Sequence, residues 1–198
     1  MHPLPFAGER IYALIFWTAC ALWIVPEIVA SGVKRSTDSA KARDQGSLRL
    51  IALLWAFGIG LDVGMSFWLP QATILWKRTP IFFIGIGLML VGIAFRWYSA
   101  SLLGKYFTFD GAIHSGQTLI EVGPYRYIRH PSYTGALVSL LGFGFALGNW
   151  AGLVAGISCL SIAYAYRIPV EEAALASALG ETYRQYLGRT WRLLPFLF

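Results

Sequence analysis

Three stretches of this chain, residues 11–33, 48–69 and 80–103, each run for about twenty residues or more with one or two charges at most. In hydrocarbon a backbone must satisfy its own hydrogen bonds, which leaves the helix or the closed barrel, and about 20 apolar residues of helix cross a bilayer. Two shorter apolar runs follow, 132–147 and 152–166, with only Gly148-Asn149-Trp150-Ala151 between them. So short a connection makes the last two an antiparallel helical hairpin. The pattern predicts an all-α polytopic membrane protein with about five transmembrane helices. Composition agrees: 57% of residues are hydrophobic and 13% charged, against about 25% charged in a typical soluble domain.

The first run carries Pro26 and Glu27 within it, and the second carries Asp62 among glycines. Although Arg10 precedes an apolar run, that run exceeds the roughly 7–15 residues of a signal core, so it reads as a retained span. Basic residues cluster at 34–49 (Lys34, Arg35, Lys41, Arg43, Arg49), at 105–129 (Lys105, Arg126, Arg129) and in the tail (Arg167, Arg184, Arg189, Arg192); only Arg10, Lys77 and Arg78 fall on the other side. The positive-inside rule then sets the N-terminus outside and the C-terminus in the cytoplasm. Topology and an anionic lipid surface account for the net charge of +6. The basic residues form no continuous patch, which argues against nucleic acid as a partner. Segment 34–47 reads as an exposed loop.

Cys20 and Cys159 lie in apolar stretches and read as buried hydrophobes. His2, His114 and His130 fall in no ligand spacing, so no metal site is expected. Gly58, Gly60, Gly64, Gly85 and Gly87 suggest faces for close helix packing. Asp62 is expected to bond a neighbouring helix or to lie near the membrane edge.

Two islands of charge and aromatics stand out. The first is Gly-Pro-Tyr-Arg-Tyr-Ile-Arg-His-Pro-Ser-Tyr-Thr-Gly at 123–135; the second is Arg-Ile-Pro-Val-Glu-Glu at 167–172. Pro131 suits a first helical position, which puts His130 at the mouth of a helix, where anionic groups are favoured. Beyond it, Gly135, Ala136, Ser139 and Gly142 leave a face without bulk, open to a neighbouring helix or a flat ligand. Arg167 and Glu171 share a face if the helix survives Pro169. From Val170 to about Leu187 an amphipathic helix is expected, with Leu175, Leu179, Tyr183 and Tyr186 on one side. The hairpin returns the chain, so Tyr125, Arg126, Tyr127, Arg129, His130 and Tyr133 meet Arg167, Glu171 and Glu172 on one side of the membrane. Guanidinium for a carboxylate, carboxylate for an ammonium and a Tyr face for a sulfonium make a site for a zwitterion.

At these residues, and through Leu179-Gly180-Glu181-Thr182-Tyr183, Tyr186 and Arg192-Leu193-Leu194-Pro195, the sequence resembles the isoprenylcysteine carboxyl methyltransferase family and its wider relatives, the phospholipid methyltransferases. The resemblance covers roughly 104–198. It implies an N-terminal membrane region, 1–103, and a cofactor-binding region, 104–198, within one integrated domain. It further implies S-adenosylmethionine as methyl donor and a lipophilic or prenylated acceptor arriving from the bilayer. By motif, His130, Tyr133 and Gly135 would line the cofactor pocket, with Tyr125 and Arg129 nearby. Glu171 would contact the cofactor, Arg167 would hold or orient the acceptor, and Glu172 would brace Arg167 or cap the tail. Transfer would be direct displacement at the methyl carbon. A carboxylate acceptor needs no base, being ionised at neutral pH, whereas an amine would need Glu171 or Glu172 as base.

The acceptor stays open among prenylated carboxylates, phospholipid amines and small thiols. Two other classes compete. A nicotinamide-dependent membrane reductase shares a tyrosine-rich C-terminal region, but such proteins are usually longer, and the paired glutamates after Arg167 fit the methyltransferases better. A transporter or scaffold would use Asp62 and Glu27, which lie apart from the dense polar residues.

Overall fold

A computed structural model describes residues 9–33, 46–107 and 117–195. The expected loop at 34–47 lies almost wholly outside them. Six helices account for most of the described chain: α1 (Arg10–Val33), α2 (Ser47–Trp68), α3 (Arg78–Leu103), α4 (Pro131–Leu147), α5 (Trp150–Leu179) and α6 (Glu181–Arg189). Four of them, α1, α2, α3 and α5, are long and apolar enough to cross a membrane, and α4 is a shorter apolar helix of 17 residues. Their outward faces carry Trp17, Leu53, Val91 and Ile162, each more than half exposed. In water such faces would be a liability; in lipid they are ordinary solvent contact.

Lipid gives helices no hydrophobic reason to associate, so close packing must do it. The most extensive pairings are α3 with α4 and α2 with α5. Between α3 and α4 the backbones nearly touch. A Cβ placed on Gly85 would stand 2.5 Å from Ala146 N, one on Gly92 2.5 Å from Ser139 N, and one on Gly135 2.7 Å from Arg96 N. The small-residue face of α4 is therefore filled by a helix, and Gly135 belongs to this seam. Gly58 plays the same part against Gly156 and Cys159, whereas Gly60 and Gly87 face open space and Gly64 faces Trp68 of its own helix. α1 joins through aromatics: Phe16 and Trp23 meet Phe143 of α4, and Trp23 meets Trp55 of α2 edge-on.

The α4–α5 connection is the tight hairpin the sequence suggested. Gly148 takes a left-handed conformation, and the Asn149 side chain accepts from Gly152 N (3.0 Å) while donating to Leu69 O (2.9 Å). Asp62 is fully buried in the α2–α5 seam, where a Cβ on Gly152 would lie 2.6 Å from its Oδ1. It packs against the neighbouring helix, but neither carboxylate oxygen has a hydrogen-bond partner among the described residues.

One helix differs from expectation. α5 runs through Pro169 to Leu179, and the expected 170–187 helix is divided at Gly180, whose φ of 59° suits glycine. Proline removes one N–H from the ladder, while the positive φ at Gly180 ends the helix outright. Residues 170–179 thus extend the span, and only Glu181–Arg189 turn away.

The α3–α4 seam yields a prediction. Gly92→Leu forces backbone atoms apart and lowers the thermal unfolding midpoint in detergent, by about 1–3 kcal/mol of stability. Gly87→Ala, on an open face, does not lower that midpoint.

Candidate active site

The site is assembled by the segment before α4 and by the tail after α6. Gly123 turns at φ 58° into a 3-10 turn, Gly123–Arg126, which drives the Tyr125 ring inward. Its hydroxyl donates to Ser99 O of α3 (3.2 Å), and Tyr186 of α6 donates to Tyr125 O (2.7 Å). Burial raises both phenols well above their usual range, so they remain neutral donors. The tail then runs alongside the motif. Arg129 N donates to Trp191 O (2.7 Å), His130 N to Arg192 O (3.0 Å) and Trp191 N to Tyr127 O (2.9 Å). Thr134 Oγ1 adds a bond to Leu193 O (2.7 Å).

Glu172 secures this arrangement. Its Oε1 accepts from Arg129 Nε (2.7 Å) and lies 3.5 Å from His130 Nε2, and its Oε2 lies 3.3 Å from Arg192 Nη2. One buried carboxylate thus serves a motif guanidinium, a motif imidazole and a tail guanidinium. Arg129 also donates to the Thr190 and Leu187 carbonyls. Of the two roles the resemblance implied for Glu172, this geometry matches the holding of the tail.

Glu171, one residue away, turns elsewhere. Tyr133 donates to its Oε2 (2.6 Å), and Arg167 Nε lies 3.6 Å from that oxygen across one helical turn, despite the intervening Pro169. Arg167 Nε is also 3.5 Å from the Tyr133 hydroxyl. The Tyr133 ring lies between two others, stacked on His130 with centroids 5.4 Å apart and on Tyr164 at 4.4 Å.

These groups wall a partly open cavity. Tyr125, Arg129, His130, Tyr133 and Glu171 line its polar part. Leu175, Leu179, Tyr183 and Tyr186, expected as the apolar side of one helix, line it as well. Arg167 and Glu172 stand behind that wall, Arg167 almost wholly buried. Gly135 is not on it, because α3 occupies its face. Arg126 and Tyr127 point outward and are exposed.

Sequence reasoning missed what α3 and the following segment contribute: Arg96, Leu103 and Phe107 also line the cavity. Arg96 donates to Glu27 of α1 through Nε and Nη2, the latter at 2.7 Å, and through Nη1 to Ser132 Oγ (2.9 Å). A lone charge within each apolar run was the available signal. Among the described residues no cluster of His, Cys, Asp and Glu is fit to hold a metal.

Comparison with known proteins gives this hairpin, cavity and pinned tail a class, the integral membrane methyltransferases. The phospholipid methyltransferase family model matches residues 80–182, and the chain belongs to that family. A protein of Oryza sativa subsp. indica named "Probable protein-S-isoprenylcysteine O-methyltransferase" is 31% identical over 192 residues, covering 96% of this chain and 99% of the relative. The Schizosaccharomyces pombe protein-S-isoprenylcysteine O-methyltransferase is 31% identical over 54% of each chain. Methanethiol S-methyltransferase 1 of Bradyrhizobium diazoefficiens is 26% identical over 86% of this chain and 57% of its own.

Removing one partner from a buried ionic cluster costs about 3 kcal/mol or more. Glu172→Gln is therefore expected to lower the unfolding midpoint and to speed hydrogen exchange at the Arg129 and His130 amides, which the tail protects. Unchanged exchange would mean that the tail is held without Glu172.

Proposed function

We propose that this membrane methyltransferase transfers a methyl group from S-adenosylmethionine to the carboxylate of a lipophilic, isoprenylcysteine-like acceptor. The observation that carries this reading is one continuous cavity whose polar part holds His130, Tyr133 and Glu171, with Arg167 behind them, and whose other walls carry Leu175, Leu179 and Phe107. The near-full-length likeness to the rice relative supports it.

The residues fit a zwitterionic donor by their chemistry. Glu171 suits an ammonium, and His130 at the start of α4 suits a carboxylate. When bound, S-adenosylmethionine supplies an electrophilic methyl group. The protein's own work is alignment and exclusion of water. Tyr133 is held at both ring faces and at its hydroxyl, so its position is fixed. Arg167 fixes Glu171 and Tyr133 from behind and through them orients the acceptor group. Tyr125 and Arg129 shape the wall on which the donor rests, and Glu172 keeps Arg129 and the tail in place. An ionised carboxylate attacks without a base, so no proton needs to leave the acceptor. The positive-inside pattern puts the cavity near the cytoplasmic face with the N-terminus outside, and the acceptor slides in from the bilayer.

Transfer to sulfur is a second reading, favoured by the likeness to the Bradyrhizobium enzyme. Product chemistry separates the two. Incubation with tritiated S-adenosylmethionine and an S-prenylcysteine is expected to yield a methyl ester that releases volatile tritium in base. A base-stable product made only from thiols or amines would overturn the carboxyl assignment. Arg167→Ala is expected to reduce transfer by about a thousandfold, the scale for a lost preorganised charge; wild-type turnover would remove Arg167 from the mechanism.

A further inference from the structure

Arg96 is the one guanidinium on the cavity wall that α3 supplies, and its partner is unusual. Glu27 of α1 binds it through both carboxylate oxygens, in the side-by-side geometry with which Arg recognises any carboxylate. Both side chains are largely but not wholly buried, at 11% and 16% exposure. Ser132, which takes the Nη1 bond, adjoins Tyr133 at the start of α4 and lines the cavity with Arg96. Arg167, by contrast, lies behind Tyr133 and Glu171. A carboxylate within the cavity thus finds Arg96 on the wall itself, beside the apolar side chains of Leu103 and Phe107.

We propose that Arg96 binds the carboxylate of the lipophilic acceptor, and that Glu27 is an internal carboxylate that occupies Arg96 while the cavity is empty and competes with the acceptor for it. This rests on the carboxyl-transfer reading and adds to it the group that selects the acceptor. An uncompensated guanidinium at membrane depth is costly, so a resident counter-ion keeps the empty site intact. Exchange of one carboxylate for another preserves the charge balance at Arg96. Methylation removes the acceptor's charge, and the ester can no longer hold Arg96 against Glu27. Recapture by Glu27 favours release of the product over a fresh acid.

The two halves of the pair are then predicted to act in opposite directions. Binding of N-acetyl-S-prenylcysteine and of its methyl ester is measured on the full chain in detergent, with S-adenosylhomocysteine present so that nothing is transferred. Glu27→Gln is expected to tighten the acid by about tenfold, since the lost competitor is a charged hydrogen-bond partner, and to leave the ester unchanged. Arg96→Gln is expected to weaken the acid by about tenfold and again to spare the ester. The double variant Arg96→Gln/Glu27→Gln, which leaves no uncompensated charge, is expected to bind acid and ester alike. If the single variants alter acid and ester by the same factor, the pair is only a tether between α1 and α3 and the proposal falls. Wild-type protein that forms no base-labile ester from the acid would overturn the carboxyl-transfer reading itself, and this inference with it.

Discussion

Everything in this protein hangs on how closely α3 and α4 approach one another. In lipid the driving force is contact itself, and contact at this distance requires positions without side chains. Gly85 and Gly92 on α3 and Gly135 and Gly142 on α4 supply them. The seam carries Arg96 to Ser132 at one end and seats the first turn of α4 under the cavity. With that turn fixed, His130 and Tyr133 have only one place to go, and the returning α5 brings Glu171 and Glu172 to meet them.

The two adjacent glutamates illustrate how a helix divides labour. Successive residues point about 100° apart, so Glu171 meets Tyr133 at the cavity while Glu172 meets Arg129, His130 and Arg192 beneath it. One faces the cavity and the other holds its walls. The tail at 191–193 is pinned by backbone bonds to the motif segment, which makes that segment part of the site's architecture.

Much of this was legible in the sequence. Apolar runs of span length gave the helices, a four-residue connection gave the hairpin, and two charged islands separated by that hairpin gave their meeting, though not which residues pair, and Arg126 and Tyr127, expected in it, stay outside. What escaped depended on rotation and depth. Glu27 and Arg96 are 69 residues apart, and nothing in either apolar run says which faces the other. Gly135 carried the motif but faces α3, because a small residue looks the same whether a ligand or a backbone approaches it. Pro169 suggested a break that the helix absorbs, while the true end came at Gly180, whose positive φ shows only in three dimensions. The apolar face of Leu175, Leu179, Tyr183 and Tyr186 was visible as a pattern, but that it lines the cavity depended on the tail folding back.

The central claim is that the first island holds the methyl donor. Calorimetric titration of S-adenosylmethionine into the detergent-solubilised protein, beside His130→Ala, tests it most directly. Saturable binding by the wild type is expected, with affinity at least about tenfold weaker in the variant, the cost of one charge-assisted contact. Binding that the variant leaves untouched, or none to well-folded wild type, would contradict it.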